Sequence, residues 1–252
     1  MKSHRIYVPE PLADLRHVDL SGSQAGHIQR VLRLAAGDMI ILFDGSGGEF
    51  AAEILSVSRG LVRLALKKHC QVSRESGLKL VLIQGVSQGP RMDLTVQKAT
   101  ELGVNRIVPI VTERSVARPS GKRAGNRRRH WLSVAASACE QCGRNLLPDI
   151  DEPSSLEGVL ADKPAADGYY VLTEDNNKAA IDLKFEGTSL CYLVGPEGGL
   201  TRLETAAAST AGFEPVCMGP RTLRTETAAI AFAAIAQSLW GDMGRLRLKT
   251  EE

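Results

Sequence analysis

Two short stretches late in the chain carry the residue types of a ligand site. They are Gly195-Pro196-Glu197-Gly198-Gly199-Leu200 and Met218-Gly219-Pro220-Arg221-Thr222-Leu223-Arg224-Thr225-Glu226-Thr227-Ala228. Each sets glycine and proline beside charged and hydroxyl side chains, follows an apolar strand-like run and leads into a helix-like pattern. That order builds a loop at the C-terminal end of a parallel strand. A third polar loop, Glu174-Asp175-Asn176-Asn177, follows Thr173. In a parallel sheet all three would meet at one edge. Glycine lets a backbone approach a ligand closely, and these loops offer main-chain N–H and C=O groups with few strong cations. An adenosine-type ligand suits them better than a polyphosphate. Taken singly, either glycine loop is an ordinary strand-to-helix turn; two in succession weaken that reading.

Other chemistries lack their motifs. There is no P-loop lysine pattern, no G-x-G-x-x-G opening a helix and no G-x-S-x-G elbow. Cys139-Glu140-Gln141-Cys142 has the spacing of a metal or redox pair, but it falls late in a helix and no second pair follows. Those cysteines read as core or helix-face residues. The five histidines show no ligand spacing, so no metal site is expected.

The elements that must position the loops alternate in the second part of the chain. Strands are expected at 78–83, 106–111, 169–173, 189–194 and 214–218, and helices at 92–102, 131–142, 201–211 and from Thr225 or Thr227 to Trp240. Ser154 to Glu157 and Thr201 to Glu204 have capping-box spacing. Pro109 should lie near an edge, a bulge or a strand end. Such alternation argues for a parallel α/β sheet covered on both faces. The first seventy residues differ: a helix over 23–34 and short strands at 39–43, 50–57 and 61–66, with Asp44-Gly45-Ser46-Gly47-Gly48 as a hairpin turn, suggest a small barrel. The polar stretch 71–77 makes a linker, and gives domains 1–72 and 73–252.

The net charge of +2 conceals an asymmetry. Residues 73–145 carry 13 Lys/Arg against 5 Asp/Glu, whereas residues 146–252 carry 9 against 17. The basic middle is a candidate polyanion surface. Residues 114–130 alone hold seven Lys/Arg and no acid; they read as a solvated loop or as an RNA contact, and the loop's length favours function. The N-terminus has no apolar signal core and the longest uncharged stretch is too short for a bilayer. Five scattered cysteines fit a reducing compartment. A cytoplasmic protein with no membrane association is expected.

The paired glycine loops resemble the signature of the RsmE family, bacterial 16S rRNA uridine N3-methyltransferases of the SPOUT superfamily. Further stretches match in order: His27-Ile28-Gln29-Arg30-Val31-Leu32-Arg33, Arg91-Met92-Asp93 through Lys98-Ala99-Thr100-Glu101-Leu102-Gly103-Val104, Thr112-Glu113-Arg114-Ser115, and Ala138-Cys139-Glu140-Gln141-Cys142-Gly143-Arg144-Asn145. Gln88 departs from the pattern, since many relatives have lysine there.

The resemblance implies a PUA-like β-barrel joined to a SPOUT-type parallel sheet whose C-terminal chain threads a deep trefoil knot. It also implies a homodimer acting on 16S rRNA of the small ribosomal subunit. The knot loops would bind S-adenosylmethionine through Leu172, Thr173, Gly195, Pro196, Glu197, Gly198, Gly199, Met218, Gly219, Leu223, Arg224 and Thr225. Methylation at uridine N3 needs a cation beside O2 or O4, for which Arg224 and then Arg144 are candidates, and a proton acceptor, Glu197 or Glu226. Glu226 also reads as a helix-dipole residue, and Arg144 as an RNA contact from a partner subunit. Arg5, His27, Arg30 and Arg33, with Arg114, Arg118, Arg127, Arg128 and Arg129, are the expected RNA contacts. Alternatives are a SPOUT methyltransferase acting on a ribose 2′-hydroxyl or another base, and a non-catalytic RNA-binding assembly factor.

Overall fold

The computed structural model describes residues 4–174 and 178–244. Asp175, Asn176 and Asn177 of the expected polar loop lie outside the described residues. The chain forms two compact units, one of residues 1–75 with 136–147 and the other of residues 76–135 with 148–252.

In unit 1, β1 (Arg5–Tyr7), β2 (His17–Ser21), β3 (Met39–Phe43), β4 (Glu49–Ser58) and β5 (Leu61–Cys70) form one sheet in the order β1-β3-β4-β5-β2. Alternating residues such as Ile40, Leu42, Ala52, Ile54, Val62 and Leu64 point into a single apolar core, the period-2 pattern of a half-buried sheet. Between β2 and β3 the structure departs from the expected helix over 23–34. A short α1 (Gly22–Gly26) passes into a π-turn, His27–Leu32, and ends at Arg33, which has φ of 54°. The expected linker is not simply solvated. Arg74 pairs with Glu49 at 3.1 Å and Glu75 with Arg144 at 2.6 Å.

Unit 2 contains β6 (Lys79–Gly85), α2 (Gly89–Glu101), β7 (Val104–Val111), β8 (Asp149–Ile150), β9 (Ser154–Ser155), α4 (Leu156–Ala161), β10 (Gly168–Leu172), β11 (Ser189–Val194), α5 (Arg202–Thr210), β12 (Glu214–Val216) and α6 (Thr225–Leu239). The helix α3 (Lys122–Cys142) contributes residues to both units. Every pairing in the unit 2 sheet is parallel, in the order β12-β10-β11-β6-β7-β8, with β9 also on β7. The strands are apolar on both faces, as a sheet covered on both sides requires. Leu80, Leu82, Leu190, Tyr192 and Val194 meet α2, α3 and α6 on one face. Val81, Ile83, Cys191 and Leu193 meet α4 and α5 on the other.

Several local expectations shift. The basic run 122–130 is the first part of α3, not loop. The cap of α4 is Ser155, which accepts from Gly158 N–H, one residue beyond the expected Ser154. Thr201 and Glu204 do form the capping box of α5. Pro109 sits in an interior strand, between the stretches that pair with β8 and β9, and the break in the neighbouring ladder there accommodates a residue without an N–H. No helix among the described residues is long and apolar enough to cross a membrane.

Candidate active site

The three loops converge. Residues after β10 (Leu172 to Glu174), after β11 (Gly195 to Leu200) and ahead of α6 (Met218 to Thr225) line one cavity of about 400 Å³ in unit 2. Its walls are largely main chain. Gly199 N–H donates to Pro196 O at 2.9 Å, closing a turn over Glu197 and Gly198, and Gly199 takes φ of 68°. At Gly195 a Cβ would lie 2.9 Å from the Gly199 carbonyl carbon, so only glycine allows this loop to fold back on itself. At the end of β6, a Cβ on Gly85 would come within 2.3 Å of Pro196 N.

A buried hydrogen-bond relay fixes the loop to two other elements. Gln84 Nε2 donates to Thr225 Oγ1 at 2.8 Å, and Thr225 Oγ1 donates to Gly195 O at 2.6 Å. Thr225 therefore does not cap α6. The N-cap position falls to Arg224, whose side chain makes no cap bond. At the cavity wall, Arg114 Nη1 donates to Gly198 O at 3.0 Å.

Glu197 is the one carboxylate of the Gly195–Leu200 loop. Burial pushes its carboxyl up, but hydrogen bonds from Gln88 N–H and its own N–H and the Arg91 guanidinium outweigh burial and hold it below the usual glutamate range. Oε1 takes both external partners, at 2.9 Å from Gln88 N and 3.3 Å from Arg91 Nη1, while Oε2 is buried without a partner among the described residues. That oxygen calls for a donor. Glu226, in the first turn of α6, is only 6% exposed and its Oε2 likewise has no partner among the described residues, but Glu226 does not line the cavity.

The structure divides the other expected site residues. Leu172, Thr173, Gly195 to Gly199, Met218, Gly219, Leu223 and Thr225 all line the cavity. Arg224 stands between Leu223 and Thr225, exposed; its carbonyl accepts from Ala228 N–H, while its side chain makes no hydrogen bond to the described residues. Arg114, expected at RNA, also borders the cavity. Arg118 bonds within its own loop, to Ser115 O and Glu113 O. Arg127, Arg128 and Arg129 are exposed on α3, although Arg128 also donates to Ile150 O and Arg129 to Asn126 Oδ1.

In unit 1, His27 is half-buried and Arg30 and Arg33 are exposed. Arg5 is different: its side chain is 8% exposed, paired with Glu49 and donating to Asn145 Oδ1 at 2.5 Å. Arg144 is 4% exposed and bidentate on Glu75. Cations held this way organise their surroundings and are not free to meet a phosphate without breaking buried pairs. Cys139 is buried, and burial pushes its thiol up to about 12, which fits a core cysteine. Among the described residues no His/Cys/Asp/Glu group could hold a metal ion.

No sequence motif assigns a role to Gln84 or Gly85, and Arg91 appears only within a matched stretch, not as a partner of Glu197. A glycine closing an apolar strand, as Gly85 does, is a signal of close backbone approach; nothing local to Gln84 points to Thr225.

Residues 74–237 match the RNA methyltransferase domain family and residues 20–67 the RNA methyltransferase PUA domain family. The chain is 32% identical over 226 residues to ribosomal RNA small subunit methyltransferase E of Bacillus subtilis, covering 86% of this chain and 88% of that one. The chain belongs to the ribosomal RNA small subunit methyltransferase E family. Membership agrees with the motif resemblance and with the α/β architecture. The Neisseria gonorrhoeae ribosomal RNA small subunit methyltransferase E, crystallised with S-adenosylmethionine, superposes with a TM-score of 0.88 at 37% identity, over 95% of this chain and 99% of that one. A methyltransferase of Legionella pneumophila solved with the same cofactor superposes with a TM-score of 0.92 at 34% identity, over 96% and 100%.

Proposed function

We propose that the chain is an S-adenosylmethionine-dependent methyltransferase acting on N3 of a uridine in the 16S rRNA of the small ribosomal subunit. The observation that carries the reading is the convergence of three main-chain-rich loops on one cavity inside the family-matched domain. The cavity fits the cofactor chemically. Its walls supply backbone donors and acceptors for an adenosine moiety, and the buried, unpartnered Glu197 Oε2 needs a donor. Leu172, Thr173, Gly195 to Gly199, Met218, Gly219, Leu223 and Thr225 would hold the cofactor, with Arg224 at the rim. S-adenosylmethionine supplies an electrophilic methyl group.

Uridine N3 carries a proton and lies on the Watson–Crick edge, so the target base must be unpaired or flipped out. As the proton leaves, negative charge spreads to O2 and O4. Arg224, exposed and uncommitted among the described residues, is the cation for that charge. Arg144 takes second place because Glu75 already neutralises it. Glu197 is the carboxylate that the Gly195–Leu200 loop brings to the cavity wall. Its depressed pKa suits it to accept a hydrogen bond from N3–H and pass the proton to water rather than keep it. Glu226, buried at the start of α6, serves the helix dipole.

The reading extends to the rest of the molecule. The barrel domain, residues 1–72, holds RNA through His27, Arg30 and Arg33, while Arg5 braces it. In domain 73–252, Arg114, Arg118, Arg127, Arg128 and Arg129 meet phosphates. The C-terminal chain threads a trefoil knot, two copies pair as a homodimer, and the enzyme works in the cytoplasm. The test is to incubate the protein with labelled cofactor and undermethylated 30S subunits, then map the modified nucleoside. Label at N3 of a uridine is expected; label at a ribose, or none, overturns the proposal.

A further inference from the structure

Unit 1 holds a second cavity, of about 800 Å³, that the methyl-transfer chemistry does not use. It is walled by β1, by α1 with the first and last residues of the π-turn, His27 and Leu32, and by Ser137, Glu140 and Gln141 at the end of α3. Tyr7 lies in β1, an edge strand paired only to β3 among the described strands. Its outward backbone groups are covered by two side chains that line the cavity. Gln24 Nε2 donates to Tyr7 O at 2.7 Å, and Tyr7 N–H donates to Glu140 Oε1 at 2.9 Å.

A residue in a strand presents its N–H and C=O to the same side, so Gln24 and Glu140 are brought together there. Each uses one polar atom on Tyr7. The remaining oxygens, Gln24 Oε1 and Glu140 Oε2, accept no hydrogen bond from the described residues. Neighbouring acceptors of this kind fit a planar ligand edge that carries two adjacent donors. Among the RNA bases only guanine has one, with N1–H beside the N2 amino group.

Two further observations point the same way. The wall beside Gln24 is the π-turn His27–Leu32, which ends on Arg33 at φ of 54°, the one positive-φ residue other than glycine among the described residues. Such geometry concentrates at functional sites. The turn also presents Arg30 and Arg33 to solvent, as a base pocket with adjacent phosphates requires. Burial raises the Glu140 pKa, so a donor from a ligand would relieve an under-solvated carboxylate.

We infer that this cavity receives an unpaired guanine of the RNA substrate, its N1–H and N2 amino groups donating to Glu140 and Gln24 and its flanking phosphates meeting Arg30 and Arg33. The inference rests on the RNA-methyltransferase reading and adds a base-reading site to it. Uracil, the base to be methylated, has a single donor between two acceptors and does not match this pair.

The experiment compares binding of the full-length protein to short oligouridines with G, A, C or U at the central position, by fluorescence anisotropy. The G-containing RNA should bind about tenfold tighter than the all-U RNA. Glu140→Gln keeps an acceptor for Tyr7 but turns an amide N–H2 toward guanine; it should erase the preference and leave all-U binding unchanged. Ser137→Trp, placed at an exposed helical position, should fill the cavity and act likewise. Calorimetric binding of S-adenosylmethionine confirms folding of each variant, and Ser137→Trp decides the matter if Glu140→Gln does not fold. Equal wild-type affinities, a preference for A or C, or a G preference that survives the substitutions overturns the inference. Methylation of undermethylated 30S subunits separates the two failures. An active enzyme without G preference sinks this site alone, whereas an inactive wild type sinks the RNA-methyltransferase reading.

Discussion

Thr225 Oγ1 donates its hydrogen to the carbonyl oxygen of Gly195, 30 residues earlier in the chain and 2.6 Å away. With Gln84 Nε2 as the donor on its other side, this hydroxyl joins β6, the β11 loop and the start of α6. Thr225→Val keeps the shape and deletes the donor. It should cost about 1–3 kcal/mol of stability by orphaning buried polar groups and weaken cofactor binding about tenfold, whereas Thr225→Ser should retain both. Thermal melts and calorimetric titration with S-adenosylmethionine measure the two effects; unchanged cofactor affinity in Thr225→Val would show that the relay does not shape the site.

Gly85→Ala places a methyl group where Pro196 N stands 2.3 Å away. Pro196 N and the Gly195 carbonyl carbon, at 2.7 Å, are backbone atoms of buried residues, so the strand or the loop must shift. The expected cost is about 1–3 kcal/mol, as for overpacking elsewhere, with cofactor affinity falling further than the stability loss alone explains. A variant with wild-type melting temperature and affinity would contradict the close packing described.

Glu49 in unit 1 is the shared partner of Arg5 and Arg74. Glu49→Gln leaves Arg5 nine-tenths buried beside a neutral group. Breaking one side of a buried pair costs about 3–5 kcal/mol. Denaturant unfolding should show a loss of that order, while removing Glu49 and Arg5 together as Gln and Met should cost less than Glu49→Gln alone.

The depressed pKa of Glu197 has a definite sign in stability. Its ionised form is favoured by folding, so its contribution is complete above the ordinary value of 4.5 and is lost as pH falls through the lower folded-state value. The difference in unfolding midpoint between the wild type and Glu197→Gln should be constant from about pH 7 to pH 5 and narrow below about pH 4.5. A difference that narrows on approach to neutral pH would refute the assignment.

The Arg127 side chain is exposed on α3 with no hydrogen bond to the described residues, unlike those of Arg128 and Arg129. If it meets a phosphate, Arg127→Ala should reduce the slope of log affinity against log salt by about 0.7 for single-stranded RNA. Arg118→Ala, which first removes bonds to Ser115 O and Glu113 O, should perturb its loop as well, seen as faster amide exchange over 113–118.

The strands of the site were legible because buried parallel strands are written as unbroken apolar runs; 189–194 coincides with β11. The glycine loops were legible because few residues other than glycine tolerate their turns. The start of α3 was not, since lysine and arginine are good helix formers whose charge reads equally well as a solvated loop. The π-turn at His27 hides within a pattern that looks helical at Ile28, Val31 and Leu32. The commitment of Arg5 to Glu49 and of Arg144 to Glu75 was invisible for another reason. Pairings 44 and 69 residues apart are decided by tertiary packing, and a lone basic residue in sequence carries no mark of them.

The missing side chain at Gly85 also limits how the site moves. Pro196 already rests against the backbone of β6, so the loop from Gly195 to Gly199 has a hard stop on that side. Any adjustment to an arriving ligand must swing away from β6. The bare backbone at position 85 thus sets where the loop stands before any ligand arrives.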